Sequence, residues 1–274
     1  MARPVIALLT DFGVRDHYVG TMKGVVLGIC PEATLVDITH EVPAQDVESA
    51  ALELSASFRF FPAGTVFLVV VDPGVGTDRR PMAAEAGGYR FVAPDNGVLS
   101  AVFDKEPPRH VVALVENRFA LPTKAGVGRT FDGRDRFAPA AAWLARGEAL
   151  SAFGPPLVAP VRTAFPPPVI VVPETPGVPG ALAGRVVRVD RFGNLITNID
   201  RAMIERLAAD GPVAVELGGH TLPGLVSAYA EVPRGALCAL VSSTGHLEVA
   251  VNGASAAAAL GLGRGDAVRV ARRA

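Results

Sequence analysis

The chain is expected to fold as an α/β protein. A mostly parallel sheet with flanking helices (Rossmann-like) should come first, followed by a smaller C-terminal β-barrel or sandwich. Three observations predict this. Residues Val66 to Val71 form an unbroken apolar run containing four valines, the signature of a strand buried on both faces. Up to about residue 146, strand-like and helix-like segments alternate, as a parallel sheet requires. Near residue 160 the pattern breaks into a Pro/Gly-rich span, and beyond it short strand-like runs dominate. The expected division is an α/β domain over 1–163, a stiff linker or wrapped edge segment over 164–184 and a β domain over 185–274.

Taken in order, Val5 to Leu9 reads as a strand ending in Thr10-Asp11-Phe12-Gly13. Asp16 to Cys30 has helical spacing, with Met22, Val25, Val26 and Ile29 on one stripe. A third segment, Leu35 to Ile38, is strand-like and closes on Thr39-His40. Val47 to Phe61 is a helix stopped by Pro62. The valine run then breaks at Asp72-Pro73-Gly74 and is followed by the basic pair Arg79-Arg80. Tyr89 to Ala93 is a strand before the turn Pro94-Asp95-Asn96-Gly97, Val98 to Phe103 is helical or extended, and Arg109 to Val115 is a strand. Arg134 to Arg146 is a helix, stopped at Gly147. In the second half, strands are expected at 186–189, 213–217, 237–241, 247–251 and 267–270, with helix at 201–209 and a further helical turn at 254–260.

Composition narrows the function. The 274 residues are 50% hydrophobic and carry a formal net charge of −1, so no basic surplus points to nucleic acid. Cys30 and Cys238 are the two cysteines, which argues against a disulfide framework or a cysteine zinc site. No apolar stretch reaches the roughly 20 residues of a membrane span, and the N-terminus lacks a signal peptide's apolar core. A cytoplasmic location is expected.

Acids stand after several strands: Asp11, Asp37, Asp72 and, in a turn, Asp95. Ligands in open α/β sheets bind beyond the carboxyl ends of strands. Such carboxylates suit a divalent metal or a sugar diol, and locally each also reads as a turn cap. The five histidines lack metal-ligand spacing. Neither G-x-G-x-x-G after the first strand nor a P-loop is present. In the second half, Asp190 to Asn198 is dense in polar groups. Phe192 could stack on a purine and Asn194 pair with its edge, or the segment is a β-turn with a core Phe. Ser242 to Gly245 suits a carboxylate or an ordinary hairpin turn.

Together the motifs resemble one family along nearly the whole chain. They are L-L-T-D-F-G (8–13), Y-V-G-T-M-K-G (18–24), V-D-I-T-H-E-V-P (36–43), V-V-V-D-P-G-V-G-T (69–77), F-V-A-P-D-N-G-V-L (91–99), T-F-D-G-R-D-R-F-A-P (130–139), D-R-F-G-N-L-I-T-N-I (190–199) and G-H-L-E-V-A-V-N-G-A-S-A (245–256). The sequence resembles the S-adenosyl-L-methionine (SAM) hydroxide adenosyltransferases, hydrolytic relatives of the fluorinating and chlorinating enzymes. The resemblance implies hydrolysis of SAM to adenosine and L-methionine without cofactor or metal. It also implies a homotrimer, each active site lying between the N-terminal domain of one subunit and the C-terminal domain of the next.

Carried over by position, Asp11 matches the acid on the ribose hydroxyls. Asp72 and Arg79 match two members of an Asp-Arg-His set that positions and activates water. Phe192 and Asn194 match adenine contacts, Asp190 and Ser243 match contacts to the methionine part, and Asn252 lies where the adenine edge is met. The third member of the catalytic set is Asp132, where the family pattern T-F-H-G-R-D has histidine. An ionised Asp accepts but does not donate, and its reference pKa is near 4 rather than 6.5. The substitution therefore leaves a non-catalytic SAM or adenosine binder as the competing reading. A halogenase is disfavoured, because the insertion of fluorinating relatives is absent between Arg90 and Arg109. A metal phosphohydrolase rests on the acids alone.

Overall fold

The computed structural model describes residues 3–122, 128–165, 167–171, 180–209 and 211–273. The chain divides into two compact units, Met1–Ala164 and Phe165–Ala274.

In the first unit a six-stranded sheet holds β1 (Val5–Thr10), β2 (Thr34–Thr39), β3 (Val66–Val70), β4 (Pro81–Ala86), β5 (Tyr89–Pro94) and β6 (His110–Ala113) in the order β2-β1-β3-β5-β4-β6. Pairing is parallel from β2 through β5 and antiparallel on both sides of β4. Every residue of β3 is buried, as a β-branched strand between two neighbours and under helices should be. Helices α1 (Tyr18–Ile29), α2 (Val47–Ser57), α3 (Ser100–Lys105) and α4 (Ala138–Ala145) supply the covering layers. The core on one side joins Met22 and Val26 of α1 to Ala141 and Leu144 of α4; on the other, Leu54 of α2 meets Val102 and Phe103 of α3. Asp46 caps α2 by accepting from Ser49 N–H at 3.0 Å.

Some expected boundaries move. The helix expected to reach Phe61 ends at Ser57 and continues as a 3-10 turn over Phe58–Phe60. The helix expected from Arg134 opens with a π-helical turn, Gly133–Phe137. Strand β4 lies where the sequence suggested none. Its Pro-Met-Ala-Ala-Glu-Ala run lacks β-branched residues, but pairing with β5 and β6 supplies the stabilisation that propensity does not.

The second unit is an eight-stranded antiparallel sheet. Its strands are β7 (Val169–Val171), β8 (Ala181–Val189), β9 (Leu195–Asp200), β10 (Val213–Leu217), β11 (His220–Leu222), β12 (Leu237–Val241), β13 (His246–Val251) and β14 (Ala267–Arg272). They run β11-β10-β14-β8-β9-β13-β12, with β7 joined to β8, and helices α5 (Arg201–Ala208) and α6 (Ala256–Leu260) complete the unit. Its core includes Val186, Leu195, Ile199, Val215, Leu247, Val249 and Val270. The span read as linker contributes β7 and the first part of β8; residues 166 and 172–179 lie outside the described set. Arg185 and Gly184 of β8 pair with Ala267 and Val268 of β14, so the sheet begins well before Val186.

Candidate active site

Strand order places the acids. The chain passes from β1 to β2 on one side and then to β3 on the other, which makes the β1/β3 boundary the topological switch point of the sheet. Thr10 at the end of β1 stands beside Val70 near the end of β3. Asp11 and Asp72 therefore emerge from neighbouring strands at their carboxyl ends.

After Asp72 the chain turns sharply. Thr77 N–H and its hydroxyl both donate to Gly74 C=O, at 3.2 and 2.6 Å, and Gly76 adopts φ +80°, a conformation that glycine adopts without a Cβ penalty. The turn returns Arg79 to Asp72. Arg79 Nε donates to Asp72 Oδ1 at 2.9 Å, and Nη2 contacts Asp72 Oδ2. The same Nη2 donates to Asp132 Oδ2 at 3.0 Å. The side chains of Asp72, Arg79 and Asp132 are 6%, 7% and 8% exposed. This is a fork-shaped cation bridging two buried carboxylates. Arg79 also lies over the Phe137 ring, 5.2 Å from its centroid. Its Nη1 is buried and has no hydrogen-bond partner among the described residues. An orphaned buried donor carries a desolvation penalty that a bound oxygen would relieve.

Burial pushes the Asp72 carboxyl up, the Arg79 guanidinium pulls it down and Asp132 pushes it up again; the net result lies above the usual carboxylate range. Asp132 comes from a distant segment. It is the residue before the π-helical turn, and Gly133 beside it is tightly packed: a Cβ there would stand 3.1 Å from Met22 Sδ and from a Phe131 ring carbon. Such π-turns are frequent at functional sites. Phe131, Phe12 and Tyr18 form an aromatic cluster with ring centroids 5.1–5.9 Å apart, joining the turn after β1 to the segment that bears Asp132.

Asp11 is oriented by Gln45, whose N–H donates to Asp11 Oδ2 at 2.7 Å. Gln45 itself has φ +65°, unusual for a residue with a side chain. Asp95 has a different task. Its carboxylate is almost fully buried, accepts from Arg80 Nε at 2.9 Å and from Val161 N–H at 2.7 Å, and so braces the 158–163 segment. Asn96 Nδ2 donates to Val71 C=O at 2.9 Å, consistent with the turn role expected for this tripeptide.

In the second unit, Asp190, Phe192, Asn194, Ser243 and Asn252 all line one cleft of about 930 Å³. Asp190 organises the turn after β8: Oδ1 accepts from Phe192 N–H and Asn194 N–H, and Oδ2 from Asn194 Nδ2, each at 2.9 Å. Gly193 in this turn has φ +83°, and a Cβ there would overlap Ser255. The outcome is an exposed Phe192 ring, so the core-Phe reading of this turn is set aside, beside a buried Asn194. Asn252 Nδ2 donates to Val232 C=O at 2.8 Å. Ser243 sits in the β12–β13 hairpin turn, where Gly245 N–H donates to Ser242 C=O at 2.9 Å.

Sequence reasoning did not single out Glu248 and Tyr229, which share this cleft. Tyr229 O–H donates to Glu248 Oε1 at 2.5 Å. Burial raises the Glu248 carboxyl, the Tyr229 hydrogen bond lowers it, and Asp190 raises it further, leaving it above its ordinary value. The hydrogen bond to Glu248, reinforced by burial, pushes the Tyr229 hydroxyl well above its ordinary pKa. A period-2 reading of Leu247-Glu248-Val249-Ala250-Val251 offered the signal, since it sets Glu248 opposite the core-facing residues. Among the described residues no cluster of three His, Cys, Asp or Glu side chains is arranged to hold a metal ion.

An α/β unit with a buried acid–arginine cluster at its switch point, followed by a β unit with an aromatic, amide-lined cleft, defines a two-part protein suited to a nucleoside-like ligand. Family models agree and are more specific: the SAM hydroxide adenosyltransferase N-terminal domain matches residues 6–154 and the corresponding C-terminal domain matches residues 184–269. The chain belongs to the SAM hydroxide adenosyltransferase family. It is 42% identical over 272 residues to the (R)-S-adenosyl-L-methionine hydrolase of Thermus thermophilus, covering 98% of this chain and 99% of that protein. It is 39% identical to the enzyme of the same name from Salinispora tropica, covering 97% of each. A fluorinase from an Actinoplanes species is 31% identical over 98% of each chain. Among solved structures, an uncharacterised conserved protein from Thermotoga maritima superposes with a TM-score of 0.87 at 36% identity, covering 97% of this chain and all of that one.

Proposed function

We propose that the protein hydrolyses S-adenosyl-L-methionine to adenosine and L-methionine, by attack of an activated water at C5′. The observation that carries this reading is the buried Asp72–Arg79–Asp132 cluster, with an Arg79 donor that has no partner among the described residues, at the strand ends where Asp11 also stands. The names of the full-length relatives support the substrate.

The chemistry suits these residues. SAM loses a neutral thioether from a sulfonium centre, so no general acid is required. The new bond joins water oxygen to C5′, the C5′–S bond breaks with its electron pair going to sulfur, and the water gives up one proton. Asp72, with its raised proton affinity, accepts that proton, and Asp132 holds the water from its other side. Arg79 Nη1 donates to the oxygen as hydroxide-like charge develops. Asp11 accepts the ribose hydroxyls and so aims C5′ at the water. Such positioning contributes up to roughly 7–11 kcal/mol in ideal cases. Phe192 stacks on adenine, Asn194 and the Asn252 segment read its edge, and Asp190 and Ser243 contact the methionine part. SAM is a substrate, and neither cofactor nor metal takes part. The enzyme works in the cytoplasm as a homotrimer with active sites between subunits.

The test is to incubate purified protein with SAM and separate the products. Adenosine and methionine are expected in equal amounts, unaffected by chelator and absent with Asp72→Ala, which should still bind SAM. Normal turnover by that variant would sink the assignment. One observation favours a second reading: Asp132 stands where relatives are expected to have histidine. A SAM-binding protein without turnover would bind SAM in a calorimeter and release no adenosine. A 5′-haloadenosine formed with halide present would instead indicate a halogenase.

A further inference from the structure

The segment following β2 holds a buried histidine that the chemistry above does not use. His40 is 5% exposed. Its Nδ1 lies 2.9 Å from Thr10 Oγ1, and its C=O accepts from Gly13 N–H at 2.7 Å. Thr10 Oγ1 in turn accepts from Phe12 N–H at 3.3 Å. His40 therefore grips the Thr10–Gly13 turn at both ends, and Asp11 sits between the two grips. On its far side, His40 Nε2 lies 3.0 Å from Asp37 Oδ1, at an angle that leaves Nε2 without a well-aligned hydrogen bond. Asp37 is paired with Lys23 at 2.6 Å. Burial pushes the Asp37 carboxyl up, but Lys23 and His40 outweigh it and hold the group below its usual range.

Directionality follows from Asp37. The ionised carboxylate faces Nε2 and favours the imidazole proton there, which leaves Nδ1 to accept from the Thr10 hydroxyl while the Thr10 oxygen accepts from Phe12 N–H. Donors then run one way from the turn through Thr10 to His40, whose Nε2 faces Asp37 as a charge contact rather than an aligned hydrogen bond.

We propose that His40 is a positioning residue for ribose binding: through Thr10 and Gly13 it fixes the turn that presents Asp11, with Asp37 and Lys23 orienting its ring. The inference rests on reading Asp11 as the ribose acid, and the experiment separates the two. Adenosine affinity, KM, kcat and Tm are measured for His40→Ala, His40→Asn, His40→Gln and Asp11→Asn. Losing the Thr10 contact in His40→Ala should raise the adenosine dissociation constant and KM about tenfold, the scale of one lost hydrogen bond, with kcat within about twofold. The Asn amide reaches the Nδ1 position and should restore affinity. Gln reaches the Nε2 position instead and should not. If Asn rescues no better than Gln, or if His40→Ala lowers kcat and Tm while KM stays put, His40 is merely structural and the proposal fails. If Asp11→Asn leaves adenosine binding intact, the ribose assignment fails, whatever the His40 variants do.

Discussion

The two units carry their polar groups in opposite ways. In the first, charges are buried against one another: two carboxylates and one guanidinium, each more than nine-tenths covered. In the second, a carboxylate is committed to its own backbone turn, and the aromatic ring on that turn is exposed. A buried charge network is a weak source of stability, because desolvation offsets much of the attraction. Its value lies in holding charge in place before a reaction begins. An exposed ring on a rigid turn contributes little to folding but presents a flat apolar surface at once. Under the proposed function, the first unit does the chemistry and the second the recognition, and four variants test that division.

The largest effect is expected from Asp72→Ala. General-base assistance is worth about 10²–10⁴-fold, so adenosine formation should fall by at least about 100-fold while SAM affinity changes little. A variant that lost SAM binding and kept kcat would move Asp72 to the recognition side and break the comparison. Phe192→Ala should do the reverse. Stacking on an aromatic ring contributes about 1–3 kcal/mol per base, so KM should rise about 5–150-fold, with kcat and Tm nearly unchanged because the ring is exposed. A fall in kcat with KM constant would count against a purely recognitive role.

Asp132→His sharpens the comparison within the first unit. Imidazole titrates near neutrality, where a base is most effective, and it relieves the carboxylate repulsion that helps raise Asp72. On this argument kcat/KM at pH 7 should increase on the order of tenfold, measured by initial rates across pH 5–9. A decrease would mean that the acid–arginine–acid arrangement has its own optimum.

How much of this was legible before the fold was known depended on local signal. Strand β3 was readable because six consecutive apolar residues allow little else, and Asp72 gained significance from standing at its end. Strand β4 was not, because its alanines have no strand preference and only the pairing of β5 and β6 makes it one. Strand β9 was hidden inside the polar run from Asp190 to Asn198, where the turn chemistry of the first residues masked the ladder of the last. Asp132 lies 53 residues beyond Arg79, and no periodicity links them; only the family motif pointed to it. Tyr229 and Glu248 are 19 residues apart on different elements, so their pairing became visible only in three dimensions. Likewise, Asp37 read as one of the candidate acids and His40 as a strand end, and the grip of His40 on the Asp11 turn depends on β1 and β2 being neighbours.

The smallest effect concerns the one buried acid among the described residues of the second unit. Glu248 is 4% exposed, and its carboxyl is raised chiefly by burial, with Asp190 adding to it against the pull of Tyr229 and Arg188. A group whose folded pKa is raised favours the folded state only while protonated. That stability is fully present below the ordinary Glu value and is lost as pH rises through the folded value. Glu248→Gln keeps a carbonyl oxygen for the Tyr229 hydroxyl and never ionises. Its Tm should therefore match the wild type at about pH 4 and exceed it by a few degrees at pH 7–8, the gap widening with pH in a series of melting curves. A gap of the opposite sign would show that the ionised Glu248 is stabilised where it lies. The recognition unit would then depend on a buried charge as the first unit does, and the contrast between them would narrow to the exposed ring alone.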